Sequence, residues 1–248
     1  RKIVGSVRMC IRDRDKPDLW SHALRPHPGW LAAAAALYLA GVGFSALFWY
    51  VLLRSLGQRP AVGATLRAFY VGQLARYVPG KVVGLGVRAR LLAGPGVRPG
   101  VAVLTVVYES LTTLASGVLL GLLGPALPSS GRGEWGWRAA ALLAVVGVLL
   151  LPAVFNRLAA RAARPFRPPD APRLPPVRGR TLALGLAVTV CGWLVQGGAL
   201  WAVVEALTPG AWPSAAEGWF RCAAYGGLAY AAGSLLRDGV WTTPFAAD

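Results

Sequence analysis

Long apolar runs are the feature that most constrains what this chain can fold into. The stretch GWLAAAAALYLAGVGFSALFWYVLL, residues 29–53, carries no charged side chain. Its length suits a helix that crosses a bilayer, which needs about 20 consecutive apolar residues. Similar runs occupy residues 101–124 and 181–204. Backbone polar groups in lipid must bond within their own segment. The runs therefore predict an all-α, polytopic membrane protein.

The composition of the 248 residues agrees with this class. Hydrophobic residues make up 55% of the chain and charged residues 15%, against about 25% charged in an average soluble domain. These values argue against a disordered chain and against an ordinary soluble globule. Cys10, Cys191 and Cys222 have neither metal-ligand nor Cys-x-x-Cys spacing. We therefore expect no metal site, no disulfide and no cofactor.

The alternation of apolar runs and polar connections predicts about six membrane spans. The predicted spans are 29–53, 61–93 (a Pro-Gly-broken crossing or a re-entrant segment), 101–124, 139–155, 181–204 and 219–236. Together they form a helical domain over residues 29–236, with a basic segment at 1–28 before it and an atypical tail at 237–248 after it. The arginine- and proline-rich segment 156–180 is expected to be an extended loop.

Charge sets the predicted orientation. The chain has a net charge of +16, and two basic clusters lie at residues 1–28 and 156–180. Cytoplasmic flanks of membrane spans are enriched in Lys and Arg, which places both clusters inside and makes this a multi-pass protein of the cell membrane with a cytoplasmic N-terminus. In that orientation, segment 61–93 has to cross the membrane once. No nucleic-acid-binding signature accompanies the charge, so a nucleic-acid partner is not expected.

The broken segment is the most unusual part of the chain. Residues 61–93 read AVGATLRAFYVGQLARYVPGKVVGLGVRARLLA, an apolar stretch with five basic residues. Pro79 and Gly80 interrupt it, because proline removes a backbone donor and glycine permits unusual angles. Half-helix N-termini attract anions, and Lys81 adds positive charge. The break thus predicts an anionic headgroup site; the alternative is a kink whose arginines reach the membrane surfaces.

Glu109 is the only carboxylate deep inside an apolar run. Ionisable groups at membrane depth are costly and usually face a bundle interior or a water-filled path. Arg76, Lys81 or Arg88 could neutralise its charge. Two structural alternatives stay open: an ion pair that only fixes helix packing, and a glutamate kept protonated by apolar surroundings.

The same residues resemble a known family. The stretch FYVGQLARYVPGKVVGLGVRARLL, residues 69–92, is similar to the transmembrane, flippase-like domain of the lysylphosphatidylglycerol synthase family. Members typically show a Gly-Gln-Leu-x-x-Tyr-x-Pro-Gly-Lys run, a following Arg, and a Glu in the next helix. The matching residues here are Gly72, Gln73, Leu74, Tyr77, Pro79, Gly80, Lys81, Arg88 and Glu109. A weaker likeness extends over residues 30–235. The resemblance implies a helical membrane domain associated with lipid translocation between leaflets.

These observations predict a flippase-like protein that translocates or binds an anionic phospholipid or a lipid-linked substrate. The candidate headgroup site consists of Gln73, Arg76, Tyr77, Pro79, Gly80, Lys81, Arg88 and Glu109. Two alternatives remain. One is a membrane part that presents lipid to a separate transferase partner for aminoacylation or glycosylation, and the other is a non-catalytic scaffold. No catalytic constellation and no aminoacyl-transferase domain occurs in the sequence, so no enzymatic activity is expected of it.

The tail departs from the family pattern. Members usually continue into a second Pro-Gly-Gly-x-Gly-x-Arg-Glu break, whereas residues 234–248 read SLLRDGVWTTPFAAD. The chain also starts at Arg1 rather than at a methionine. Both features lead us to expect a truncated or frame-shifted chain.

Overall fold

The computed structural model describes residues 27–74, 87–88, 90–92, 97–123, 144, 146–148, 150–163 and 176–240. These residues form helices and no strand, which confirms the all-α class. The main helices are α1 (Pro28–Ser55), α2 (Val62–Leu74), α3 (Pro99–Leu123), α4 (Pro152–Ala163), α5 (Gly179–Leu207) and α6 (Ala215–Val240). The boundaries of the terminal segments 1–28 and 237–248 stay predictions.

Three of these helices are long and apolar enough to cross a membrane. They are Pro28–Ser55, Gly100–Leu123 and Gly179–Leu207, with mean hydropathies of 1.9, 1.6 and 1.6. They coincide with the predicted spans 29–53, 101–124 and 181–204. The total of about six spans stays a prediction.

Helices α1 and α5 pack against each other in opposite directions. The rings of Trp30, near the start of α1, and Trp201, near the end of α5, meet edge to face with centroids 5.3 Å apart. Further along, the ring of Phe48 fills the space beside Gly185, where a Cβ atom would lie 2.2 Å from the ring. Small residues at such contacts let helix backbones approach closely. The start of α1 therefore lies beside the end of α5.

Helix α3 runs in the same direction as α5, and α6 returns beside both. The indole N–H of Trp193 in α5 donates to the carbonyl of Thr113 in α3, at 3.1 Å. Gly117 in α3 and Gly227 in α6 allow backbone contact, since a Cβ atom on Gly227 would lie 2.5 Å from the Gly117 carbonyl oxygen.

The bundle consequently has two ends. We call the end where α1 begins and α5 ends the tryptophan end, after Trp30, Trp201 and Trp219. The opposite end, where α1 ends and both α3 and α5 begin, is the arginine end, after Arg54, Arg98 and Arg178.

Helix α2 starts at the arginine end and folds back along α1. The hydroxyl of Tyr70 donates to the carbonyl of Leu39, at 2.8 Å, so α2 reaches about the middle of α1. The chain is back at the arginine end by Arg98, whose backbone N–H donates to Oε1 of Gln58, at 2.9 Å. Segment 61–93 therefore begins and ends at the same end of the bundle.

Of the two predicted forms of this segment, the described flanks fit the re-entrant one and do not fit a single crossing. Its described flanks return to one end, as the flanks of a re-entrant segment do. Irregular backbone at membrane depth is tolerated where protein surrounds it, and Phe69 and Leu92 on the two flanks both pack into the apolar cluster around Trp49. Pro79 and Gly80 lie outside the described residues. The sequence could not reveal this course. Neither the charge of the flanking loops nor the hydropathy of the segment distinguishes a segment that crosses the membrane from one that returns to the same side.

The predicted placement of both basic clusters on one side of the membrane stays a prediction, because residues 1–26 and 164–175 lie outside the described part of the chain. The described helices show that α1 begins at the tryptophan end, whereas α5 begins at the arginine end.

Residues 156–163 form part of helix α4 and not of the expected extended loop. Proline suits the first position of a helix, where Pro152 stands. Phe155 and Ala159, four residues apart, are buried against the bundle, whereas Arg157 and Arg161 are exposed. This amphipathic pattern is hidden in the sequence by the high arginine and proline content of the segment.

Asn156 joins α4 to its neighbours at the arginine end. Its side-chain oxygen accepts hydrogen bonds from the Tyr108 hydroxyl of α3 and from the backbone N–H of Val177, and its amide donates to the Val177 carbonyl. One side chain thus ties α3, α4 and the start of α5 together.

Single cysteines in a cysteine-free background test this topology. Arg59→Cys and Arg98→Cys should react with a membrane-impermeant maleimide from the same side, because segment 61–93 returns to its starting end. Gly29→Cys and Arg178→Cys should react from opposite sides. Labelling is measured in intact cells and in inverted membrane vesicles. If positions 59 and 98 are labelled from opposite sides, segment 61–93 crosses the membrane once.

Candidate functional site

The centre of the site is a buried ion pair between Arg88 and Glu109. Nη1 of Arg88 donates to Oε2 of Glu109 at 3.0 Å. Arg88 is 6% exposed and Glu109 is 4% exposed. Breaking such a buried pair by removing one partner typically costs about 3–5 kcal/mol. Of the three cations predicted to neutralise Glu109, Arg88 is bonded to it, while Arg76 and Lys81 lie outside the described residues.

Aromatic side chains hold the guanidinium group in place. The carbon at its centre lies 4.2 Å from the centroid of the Phe69 ring and 6.0 Å from that of the Trp49 ring. A cation over an aromatic face is attracted by the negative charge of that face. Trp49 is itself fixed, because its indole N–H donates to the Thr105 hydroxyl at 3.0 Å.

Gly72 has a steric role in the same arrangement. A Cβ atom at this position would lie 2.3 Å from Cγ of Arg88. That atom belongs to the inner part of the arginine side chain, which cannot move without displacing the guanidinium. The glycine of the sequence motif therefore leaves room for Arg88 to pass α2 and reach Glu109 on α3.

The second carboxylate oxygen of Glu109 is also bonded. Oε1 accepts a hydrogen bond from the Thr113 hydroxyl, one helical turn further along α3, at 3.2 Å. A charge removed from water has to be paired and hydrogen-bonded to be tolerated. Both oxygens meet that requirement within the protein.

A cavity of about 620 Å³ opens beside this carboxylate, between α1, α3, α5 and α6. Glu109 lies ten residues after Pro99, which corresponds to about 15 Å along the helix axis. Hydrogen-bonding groups line the cavity at this depth, and aliphatic side chains line it towards the tryptophan end. The first group comprises Ser45, Gln73, Glu109, Thr113 and Gln196, and the second comprises Leu31, Ala34, Ala35, Leu200 and Val203.

Small residues create the space. A Cβ atom added to Gly226 of α6 would meet nothing within 4 Å, and the neighbouring wall positions are Cys222 and Ala223. The cavity volume falls in the range of roughly 300–1,000 Å³ that is usual for small-molecule sites.

The structure brings together three of the residues predicted for the site. Gln73 and Glu109 line one cavity, and Arg88 is bonded to Glu109. The other five predicted residues lie outside the described part of the chain, and their contribution stays a prediction. They are Arg76, Tyr77, Pro79, Gly80 and Lys81.

Sequence reasoning missed Gln196 and Trp193 on α5. Gln196 packs against Gly41 of α1 and lines the cavity. Trp193 donates its indole N–H to the Thr113 carbonyl and to the Ser116 hydroxyl. An uncharged amide within the apolar run 181–204 is a signal that could have identified Gln196, since polar side chains inside membranes usually find partners on other helices.

Comparison with known proteins identifies the family. Residues 4–231 match the family model described as the lysylphosphatidylglycerol synthase TM region, and the chain belongs to this family. The resemblance seen in residues 69–92 is thereby confirmed. No curated protein and no solved structure matches the chain.

A double-mutant cycle measures the ion pair. Arg88→Gln and Glu109→Gln should each lower the free energy of unfolding by about 3–5 kcal/mol, because each leaves a buried charge without its partner. The double variant should lose less than the sum of both. Reversible unfolding in mixed micelles provides the measurement. Strictly additive losses would show that the two side chains are not coupled.

Proposed function

We propose that this member of the lysylphosphatidylglycerol synthase transmembrane family binds an anionic lipid or a lipid-linked substrate in the cavity and moves its headgroup across the membrane. The observation that carries the proposal is the division of the cavity wall. Gln73, Gln196 and the Glu109 carboxylate lie at membrane depth, and aliphatic side chains lead towards the tryptophan end. Hydrogen-bonding groups at such depth are costly for a protein that only needs to pack its helices.

The ion pair has a defined part in this mechanism. It holds Arg88 against α3, and the side chain of Arg88 passes Gly72 of α2, next to Gln73 at the cavity wall. A guanidinium has five N–H donors and binds phosphate as well as carboxylate. Arg88 neutralises the Glu109 carboxylate from behind the cavity wall, so an anionic headgroup in the cavity would not face an unpaired negative charge. Lys81, next to the Pro79–Gly80 break, would supply the additional positive charge.

A second candidate is lipid presentation to a separate transferase. The family description contains a synthase, and the same cavity could hold a lipid without releasing it into the other leaflet. The two functions differ in one measurable respect: presentation requires lipid binding but no change of leaflet.

Filling the cavity tests the proposal. Gly226→Leu places a side chain in open space within the cavity wall, and Gly233→Leu places the same side chain in open space on the same helix, outside the cavity. Gly226→Leu should slow lipid movement by about tenfold or more, since steric overlap in a packed site costs on the order of 1–3 kcal/mol. Gly233→Leu should leave the rate unchanged.

The measurement is the rate at which headgroup-labelled phosphatidylglycerol becomes accessible to an external quencher in proteoliposomes. Equal rates for both leucine variants and the unmodified protein would contradict transport through the cavity. Lipid presentation would be favoured if labelled lipid binds to the unmodified protein, binds less to the Gly226→Leu variant, and changes leaflet with neither.

Lys81→Ala tests the headgroup charge in the same vesicles. The rate for phosphatidylglycerol should fall several-fold, whereas the rate for zwitterionic phosphatidylcholine should change little, because the lysine interacts with net negative charge. An equal decrease for both lipids would indicate that Lys81 supports the fold and does not recognise the headgroup.

A further inference from the structure

The described residues at the two ends of the bundle differ strongly in charge. Among the described side chains, seven exposed arginines lie at the arginine end, and we call them the arginine surface. They are Arg54, Arg59, Arg98, Arg157, Arg161, Arg178 and Arg180. The carboxylates whose side chains are described lie elsewhere: Glu109 is buried in the ion pair, and Glu205 and Glu217 belong to the tryptophan end. Within this part of the chain, the arginine surface has no acidic partner.

Helix dipoles add to this positive charge. Helices α2, α3 and α5 all begin at the arginine end, and none of them has an acidic residue in its first turn. Each helix N-terminus carries about half a positive charge, which acidic residues normally offset. Here Arg98 precedes α3, and Arg178 and Arg180 flank the start of α5. The fold therefore concentrates positive potential where α2, α3 and α5 begin.

Helix α4 presents two of these arginines outward. Arg157 and Arg161 lie one helical turn apart and are exposed, whereas Phe155 and Ala159 are buried against the bundle. Like charges at this spacing repel each other. Leu158, between them, is also exposed, at 38%. A helix with an outward face of arginine and leucine fits the boundary between lipid headgroups and acyl chains.

We propose that the arginine surface binds the anionic phospholipid headgroups of the leaflet at its own end of the bundle. Guanidinium groups match phosphate with two parallel hydrogen bonds, and the surface lies at the level where spanning helices leave the membrane. This binding is separate from the cavity and does not depend on lipid translocation.

Spin-labelled lipids test the proposal in vesicles of mixed phosphatidylglycerol and phosphatidylcholine. The fraction of each labelled lipid that the full chain immobilises gives its relative association constant. The unmodified protein should prefer phosphatidylglycerol, and the preference should decline with salt. Replacing Arg157 and Arg161 together by Gln should lower this preference by roughly fivefold for each arginine removed, at low ionic strength. Replacing both by Lys retains the charge and should preserve most of the preference.

The outcomes separate the possible partners. An unchanged preference in a Gln variant that remains folded by circular dichroism would overturn the proposal. Loss of the preference in the folded Lys variant as well would support it, because the guanidinium geometry that matches phosphate would then carry the binding. A preference that does not decline with salt would overturn it, because contacts between exposed charges are screened. The lipid-flipping rate is a separate readout, so failure here leaves the cavity proposal untouched.

Discussion

The buried ion pair between Arg88 and Glu109 is the interaction on which the rest of the site depends. It joins Arg88, which follows the Pro79–Gly80 break in the sequence, to Glu109 of α3 at membrane depth. Its cost in an apolar environment is offset by several contacts at once: the Thr113 hydroxyl on the carboxylate, the Phe69 ring under the guanidinium, and the gap left by Gly72. Because each charge needs the other, the returning arm of segment 61–93 is held in one position relative to α3.

Small residues determine the shape of everything around that pair. Glycines at the contacts of α1 with α5 and of α3 with α6 bring these helices close together. Gly226, with Cys222 and Ala223 beside it in the wall, leaves a cavity of about 620 Å³ within the bundle. Tight packing and an open cavity thus arise from the same residue types. A glycine gives a tight contact where a neighbouring helix fills the space above it, and it gives a cavity where no helix does.

The charge asymmetry of the bundle gives the domain a direction. The arginine end concentrates exposed guanidinium groups and helix N-termini, whereas the tryptophan end holds stacked and edge-on indoles, which suit a membrane–water interface. The cavity extends from the ion pair towards the tryptophan end. The arginine surface and the aliphatic part of the cavity therefore lie towards opposite ends of the bundle.

The class of the protein, its family and the carboxylate of its central pair follow from the sequence alone. Apolar runs of membrane-spanning length permit helices alone, because a bilayer offers no partner for backbone groups. Glu109 was identified because a carboxylate is rare in such runs, whereas Arg88 was one of three possible partners. Only the tertiary structure decided that segment 61–93 returns to its starting end, that α1 and α5 begin at opposite ends, and that Gln196 joins the cavity wall. These properties rest on contacts such as that of Gln58 with Arg98, 40 positions apart. Hydropathy is a local quantity, whereas the direction of a helix and the neighbours of a side chain are set by packing between distant segments.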